Sequence, residues 1–275
     1  MEKLIFKANK KDKILNILTG HGFSYAYASK LLRNKDVRVN DFKIKDNIQI
    51  EEDDEITVFY NEESLNKLNI DKVYEDENIL IVNKPAGIEV EGENSLCSNF
   101  NCLAVHRLDR NTTGLTILAK NKTSREELSI AIKNHEITKK YLAEVVGPTN
   151  YKNYLMKAYL EKDEKLSQVK VYEKPTKKAV EIKTIFNTLK SNPSSSIVEC
   201  TLITGKTHQI RASLAYLNHA IIGDGKYGKN IDNKKFKEKT QKLHCYYLKL
   251  NGLKNNLKYL NQREITVLPS WLKNK

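Results

Sequence analysis

The chain is poor in cysteine and in proline, with four of the first and five of the second in 275 residues. Cys97, Cys102, Cys200 and Cys245 are too scattered to read as a paired framework. A chain of this length can bury a full core without one. Cys97, Cys102 and His106 have the donor types of a zinc site, yet their spacing is not that of a finger and no fourth ligand lies near them. No metal is expected, and the cysteines are read as buried free thiols. Long apolar runs are also missing, and none approaches the roughly 20 residues that span a bilayer. Lys3, Lys7, Lys10, Lys11 and Lys13 break up the first twenty residues, which leaves no signal-peptide core and points to the cytoplasm. Negative charge is the minority sign, 34 Asp and Glu against 47 Lys and Arg, a net +13. That excess suits a polyanionic partner, a nucleic acid or an anionic surface.

The excess is unevenly spread. Residues 1–60 hold 11 basic and 10 acidic residues, and residues 61–275 hold 36 and 24. The first part can therefore attract a polyanion only through a one-sided arrangement. Ile14, Leu15, Ile17 and Leu18 share one helical face that ends at Gly20-His21-Gly22. A second helix starts at Ser24 as N-cap, with Tyr25, Ala28, Leu31 and Leu32 inward and Lys30, Arg33 and Lys35 outward. Strands are predicted at Val37–Val39 and Ile56–Tyr60, linked through Asn40-Asp41 and the acidic run 51–55. The polar stretch from residue 61 reads as a linker.

Beyond it, Ile79–Val82 is a β-branched run closed by the turn Lys84-Pro85-Ala86-Gly87. Leu103–Val105 and Leu115–Ala119 read as strands, with a polar loop between them and a turn at Thr112-Thr113-Gly114. Thr123–Asn134 is helical, opened by a capping box from Thr123 to Glu126. Strands follow at 139–147, 168–172, 179–186 and 197–203, with a turn at 192–196. Thr207 is the N-cap expected for a helix carrying Ile210, Leu214 and Leu217, and closing strands are expected at 243–250 and 264–267. Two strings in this part are decoys. Gly205-Lys206-Thr207 lacks the first glycine of a P-loop, and Gly223-x-Gly-x-x-Gly228 has no βαβ unit around it.

The string His106-Arg107-Leu108-Asp109-Arg110-Asn111-Thr112-Thr113-Gly114-Leu115 resembles the catalytic-loop signature of RNA pseudouridine synthases of the RluA type. His106 stands where a sister family has glycine, and Thr113 where the pattern usually has serine. Two further segments fit the same resemblance: the Lys139-x-Tyr141-x-Ala143 strand, and Thr204-Gly-x-x-His208-Gln-Ile-Arg211 followed by Gly223-Asp-x-x-Tyr-Gly. Lys84-Pro-x-Gly87 resembles the family's first motif, while residues 88–100 do not follow it, and Lys206 replaces the usual arginine. Residues 12–60, above all Lys30-Leu-Leu-Arg-Asn-Lys-Asp-Val-Arg38-Val-Asn-Asp, resemble an S-four-type RNA-binding domain.

The resemblance implies an α+β protein: a pseudouridine synthase fold with a mixed, largely antiparallel sheet flanked by helices, preceded by a small ααβ RNA-binding domain. The corresponding boundaries are 1–60, a linker at 61–72, and a catalytic domain at 73–275. It implies Asp109 as nucleophile, Arg211 as its ion-pair partner and Tyr141 against the uracil face. Arg107, Arg110, Lys206, His208, Lys30, Arg33 and Arg38 would contact RNA, with Arg107 holding the space or backbone left by a flipped base. The isomerisation conserves atoms and oxidation state, so no cofactor is required. Whether Asp109 attacks the sugar carbon or carbon 6 of the ring stays open. The partner expected is structured RNA, ribosomal RNA of the large subunit first and transfer RNA second, with no DNA, no membrane, and the protein acting as a monomer. Two other classes compete: a nucleoside hydrolase, which would need a second carboxylate at the bond, and a non-catalytic RNA-binding or assembly factor on the same fold.

Overall fold

Ile14, Leu15, Ile17 and Leu18 do fall on one buried side of a helix in a computed structural model, which describes residues 2–23, 25–60, 70–92, 95–163 and 168–272. The chain divides into two compact units, Met1–Asn69 with Glu91–Asn101, and Ile70–Val90 with Cys102–Lys275. The expected linker lies outside the described residues as far as residue 69, and Lys72 already opens a strand.

The first unit runs β1 (Glu2–Lys7), β2 (Asp12–Lys13), α1 (Ile14–Gly20), α2 (Tyr25–Asn34), β3 (Val37–Val39), β4 (Phe42–Ile44), β5 (Gln49–Ile50) and β6 (Glu55–Tyr60). The N-cap expected at Ser24 and the inward side chain expected at Tyr25 lie outside the described residues. Ala28, Leu31 and Leu32 of α2 are buried with Leu18, Phe23, Val37, Ile56 and Val58 in a single core. Four strands pair in the order β1-β6-β3-β4, all antiparallel, and β2 pairs with β5. Strand β1 was not expected: Lys3 and Lys7, two of the lysines that argue against a signal peptide, sit on a strand whose alternate residues, Leu4 and Phe6, pack on the core. Helix α3 (Leu96–Phe100) is opened by a capping box between Ser95 and Ser98.

The second unit holds β7 (Lys72–Glu75), β8 (Ile79–Lys84), β9 (Leu103–Ala104), β10 (Thr113–Ala119), α4 (Lys122–Lys133), β11 (Thr138–Val146), β12 (Tyr154–Asp163) and β13 (Gln168–Tyr172). It continues with β14 (Val180–Ser191), β15 (Ser195–Leu202), α5 (Gln209–Tyr216), α6 (Asn230–Lys235), β16 (Leu243–Lys249) and β17 (Glu264–Thr266). These strands make one sheet in the order β13-β12-β14-β15-β11-β16-β10-β8-β7, with β17 on β16 and β9 on β10. Every pair is antiparallel except β10 with β16, which gives the mixed, largely antiparallel sheet of an α+β fold. Residues 79–82 of β8 and Leu115, Ile117 and Leu118 of β10 are buried whichever way they point, so both faces are covered there. On β12 and β14 only alternate residues are buried (Met156, Ala158 and Leu160; Ile182, Thr184 and Phe186) and one face stays open.

Several local expectations are corrected. Thr113 and Gly114 belong to β10, and the turn instead spans Asp109 to Thr112, closed by Thr112 N–H donating to the Asp109 carbonyl at 3.0 Å. Helix α4 is capped by Asn121, whose side chain accepts from Ser124 N–H at 2.9 Å, and not by Thr123. Helix α5 has His208 at its N-cap, not Thr207, with no side-chain cap bond. Gly114 is fixed by the parallel crossing: its φ is +108°, and a Cβ there would lie 2.3 Å from the Cys245 carbonyl oxygen.

Candidate active site

The loop between β9 and β10 is held from both ends. Strand β9 stops at Ala104, and the next donor on β10, Ile117 N–H, goes to the His106 ring at Nε2, 3.0 Å away. Because Nε2 accepts, the ring is neutral with its proton on Nδ1. Burial, reinforced by the charge of Lys139, pushes the His106 pKa down to about 3, so the ring stays neutral. Farther along, the Arg110 carbonyl accepts from Gly87 N–H and Lys84 Nζ, each at 2.9 Å, and Arg110 Nε donates to the Gly87 carbonyl at 3.0 Å. Lys84 is fully buried and also donates to the carbonyls of Pro85 (3.1 Å) and Ile88 (2.7 Å). Its three ammonium protons are thus all used. Burial lowers its pKa to about 8, against the pull of the Asp109 and Glu89 charges. The Lys-Pro-Ala-Gly turn fastens the loop that carries Asp109.

Asp109 presents a half-buried side chain, 24% exposed, at the apex of this loop. Arg211 reaches it from the first turn of α5, with Nη1 donating to Oδ2 at 2.8 Å. The same guanidinium makes two bonds to Asp224, Nε to Oδ2 at 2.7 Å and Nη2 to Oδ1 at 3.0 Å. Asp224 is fully buried and its Oδ1 also accepts from the backbone N–H groups of Lys226 and Tyr227. Burial alone would push its pKa up; the Arg211 charge and these donors outweigh burial and hold it below the usual carboxylate range. Burial likewise opposes the charge on Arg211, and the two carboxylates overcome it and raise its pKa. The result is a charge-assisted chain, Asp224–Arg211–Asp109, with the bidentate end sealed and the single-bond end open.

A second chain meets the first. Tyr227 Oη accepts from Val169 N–H at 2.9 Å and is 2.8 Å from His208 Nδ1, while the Arg211 Cζ lies 5.2 Å from the centre of the Tyr227 ring. His208 Nε2 lies 3.9 Å from Asp109 Oδ2. Tyr141 is buried on β11, where the register to β16 shifts between Lys140 and Tyr141. Such bulges re-aim side chains. Burial raises the Tyr141 pKa well above the usual phenol value; Cys245 and the nearby Asp109 charge add to this, so the ring is a neutral phenol.

The structure thus brings Asp109, Arg211 and His208 together, with Tyr141 within electrostatic reach of Asp109. Arg107, Arg110 and Lys206 are exposed in the same unit. Lys30 and Arg33 are exposed on α2 of the first unit, whereas Arg38 lies half-buried on β3 with its guanidinium 5.2 Å from the Phe59 ring. Asp224, Tyr227 and Lys84 lie in the quoted motifs but were given no role of their own from the sequence. A signal existed for Asp224, a lone carboxylate one glycine beyond the apolar run Ala220-Ile221-Ile222. Cys102, Cys200 and Cys245 are buried and Cys97 is half-buried, and no disulfide joins them. Among the described residues no group of three or more His, Cys, Asp or Glu side chains could hold a metal ion, and no helix is long and apolar enough to cross a membrane.

Residues 78–216 match the RNA pseudouridylate synthase family. The ribosomal large subunit pseudouridine synthase C of Escherichia coli is 31% identical over 257 residues, 82% of this chain and 78% of that protein. The mitochondrial tRNA pseudouridine(32) synthase of Saccharomyces cerevisiae is 33% identical over 215 residues, 73% of this chain and 46% of that protein. Among solved structures, human RNA pseudouridylate synthase domain containing 1 shares the fold, with a TM-score of 0.65 at 20% identity over 76% of this chain and 86% of that one.

Proposed function

This chain belongs to the RNA pseudouridylate synthase family and is an RNA pseudouridine synthase, and we propose that it isomerises specific uridines of structured RNA, with Asp109 as nucleophile. The observation that carries this reading is the Asp109–Arg211 bond at 2.8 Å, made between residues 102 positions apart and braced by Asp224. A nucleophilic carboxylate must be ionised, aimed and still accessible. Arg211 aims the group by bonding Oδ2 alone, and the partial exposure of Asp109 leaves it accessible. Tyr141, a neutral phenol, gives the uracil a flat face to rest on. Arg107 takes the space or backbone left by the flipped nucleotide, an extrusion that costs a few kcal/mol.

A hydrolase would need a second working carboxylate. Asp224 does not serve, because both its oxygens are bonded to Arg211 and it has no exposed surface. On attack at the sugar carbon, Asp109 displaces N1 and holds the sugar while the ring turns; on attack at carbon 6, it holds the ring. Either path ends with C5 bonded to the sugar.

The amino-terminal unit acts as an S-four-type RNA-binding domain, with Lys30 and Arg33 on α2 and Arg38 on β3 placed on phosphates. Arg110 and Lys206 add phosphate contacts at the catalytic unit. Ribosomal RNA of the large subunit is the substrate we favour, in line with the activity for which the Escherichia coli relative is named, and the cytoplasm is the place of action. Mapping pseudouridines in ribosomal and transfer RNA, from cells with and without the protein, tests this. Sites lost only from transfer RNA would replace the ribosomal assignment, and no lost site in either would refute the reading.

A further inference from the structure

The reaction has a requirement that Asp109, Arg211 and Tyr141 do not meet. In the net isomerisation the N1–C1′ bond is exchanged for a C5–C1′ bond, C5 gives up a proton, and N1 gains one. Whichever atom Asp109 attacks, the last step removes hydrogen from a saturated C5. That step needs a base near Asp109 that can also return a proton.

We infer that His208 is this proton carrier, taking the C5 proton on Nε2 and delivering it to N1. In that step the C5–H bond breaks and its electron pair stays in the ring, restoring conjugation. The proton passes to the Nε2 lone pair, and the imidazolium so formed protonates N1. The base is neither oxidised nor reduced, and no further reactant takes part. The inference rests on the site proposed above.

Three features of the fold support it. His208 Nε2 is 3.9 Å from Asp109 Oδ2, too far for a hydrogen bond but beside any ring joined to, or just released from, that carboxylate. Its other nitrogen, Nδ1, is fixed 2.8 Å from Tyr227 Oη, and Tyr227 is itself fixed by Val169 N–H on β13. In the tautomer with Nδ1–H donating to Tyr227, the Nε2 lone pair faces the Asp109 side. A base oriented through its second nitrogen by a third group is the arrangement proton transfer calls for. His208 also has φ +55°, the left-handed region that non-glycine residues seldom adopt, and such strain gathers at working sites.

The groups facing the imidazole are Asp109, Arg211, Lys226, Asp224 and Tyr227. Burial lowers its pKa, Arg211 and Lys226 add to that, and Asp109 and Asp224 oppose it. The ring is therefore neutral at physiological pH, as a base must be. With Nδ1–H given to Tyr227, the neutral ring has no proton on Nε2 to donate to RNA, the contact implied by resemblance.

His208→Asn separates a chemical role from a structural one. Asparagine accepts a left-handed φ, its side-chain amide reaches Tyr227 as Nδ1 does, and it has no basic nitrogen at the Nε2 position. The substrate is RNA from cells lacking the protein, unlabelled or carrying deuterium at uridine C5, with enzyme in excess and pseudouridine measured over time. The expected result is a rate lower by about a hundredfold or more, a larger deuterium isotope effect than in the unaltered protein, and unchanged RNA affinity. A rate within about twofold of the unaltered protein, or a loss equal for both isotopes, overturns the inference. Tyr227→Phe, which frees the ring of His208 without removing its base, gives a smaller loss with the same rise in isotope effect, and decides the matter if the asparagine variant does not fold. Asp109→Asn run alongside keeps the two readings apart. If it still turns over, the nucleophile is wrong, and the isotope ratio of His208→Asn judges the proton carrier independently.

Discussion

Two carboxylates share Arg211, and replacing each by its amide should have opposite consequences. Asp224 is fully buried, accepts two of the three guanidinium bonds, and also receives two backbone N–H groups. Asp224→Asn puts an amide NH2 where a carboxylate oxygen accepted, leaving a buried guanidinium facing a donor. Breaking a buried ion pair costs about 3–5 kcal/mol. Asp109 still balances part of the Arg211 charge, which brings the expected loss to about 2–4 kcal/mol. In a unit of this size, that lowers the melting midpoint by about 5–15 °C. Asp109→Asn leaves the bidentate pair intact and removes one bond at a half-exposed carboxylate, so its stability change should stay under about 1 kcal/mol. It should nevertheless abolish pseudouridine formation.

The pH dependence follows from the same geometry. The folded pKa of Asp224 is depressed below the ordinary aspartate value of 3.8. Its contribution to stability is therefore present above about pH 4 and lost as pH falls through the lower folded value. Asp224→Asn should remove that part of the acid transition. Urea titrations at pH 7 and pH 3, together with a turnover assay, measure all three quantities. The reasoning fails if Asp109→Asn destabilises as much as Asp224→Asn, or if Asp224→Asn leaves both stability and its acid dependence unchanged.

Lys84→Met keeps the length and volume of the side chain but strips the carbonyls of Pro85, Ile88 and Arg110 of their shared donor. A loss of about 2 kcal/mol is expected, with turnover falling further than RNA affinity because the loop holding Asp109 loosens. Thermal unfolding and single-turnover rates check this. Lys30→Ala combined with Arg33→Ala, on the exposed side of α2, should weaken RNA binding across sequences and reduce the slope of log affinity against log salt by about 1.5. Filter-binding titrations from 50 to 300 mM salt measure that slope, and an unchanged value would remove α2 as a docking surface.

Much of the fold was legible because it is local. The apolar face of α1, the limits of β13 and the run at Ile79–Val82 follow from periodicity and β-branching over a few residues. The caps of α4 and α5 were misplaced by one or two residues. Several hydroxyl and amide side chains compete for the same first-turn donors there, and the backbone of the preceding residues decides among them. Strand β12 was missed because its outward residues, Leu155, Lys157, Tyr159 and Glu161, mix charge with apolar side chains and blur the alternation. The three motifs named Asp109, Tyr141 and Arg211 as residues to watch. They did not reveal that Arg211 serves two carboxylates, that Lys84 clamps the loop, or that His208 is turned inward.

By itself the sequence determined the family, the basic character of the chain, the residue types in each motif, and most helices and strands. All of these depend on composition or on neighbours within a few positions. The tertiary structure alone decided which charges meet. Asp109 sits on the loop before β10 and Arg211 on α5, brought together from 102 residues apart. The parallel crossing of β10 on β16, open only to glycine at 114, helps fix the frame in which they meet. Ionisation, exposure and tautomer follow from those distances, since a charge responds to what lies within a few ångströms of it and not to its place in the chain.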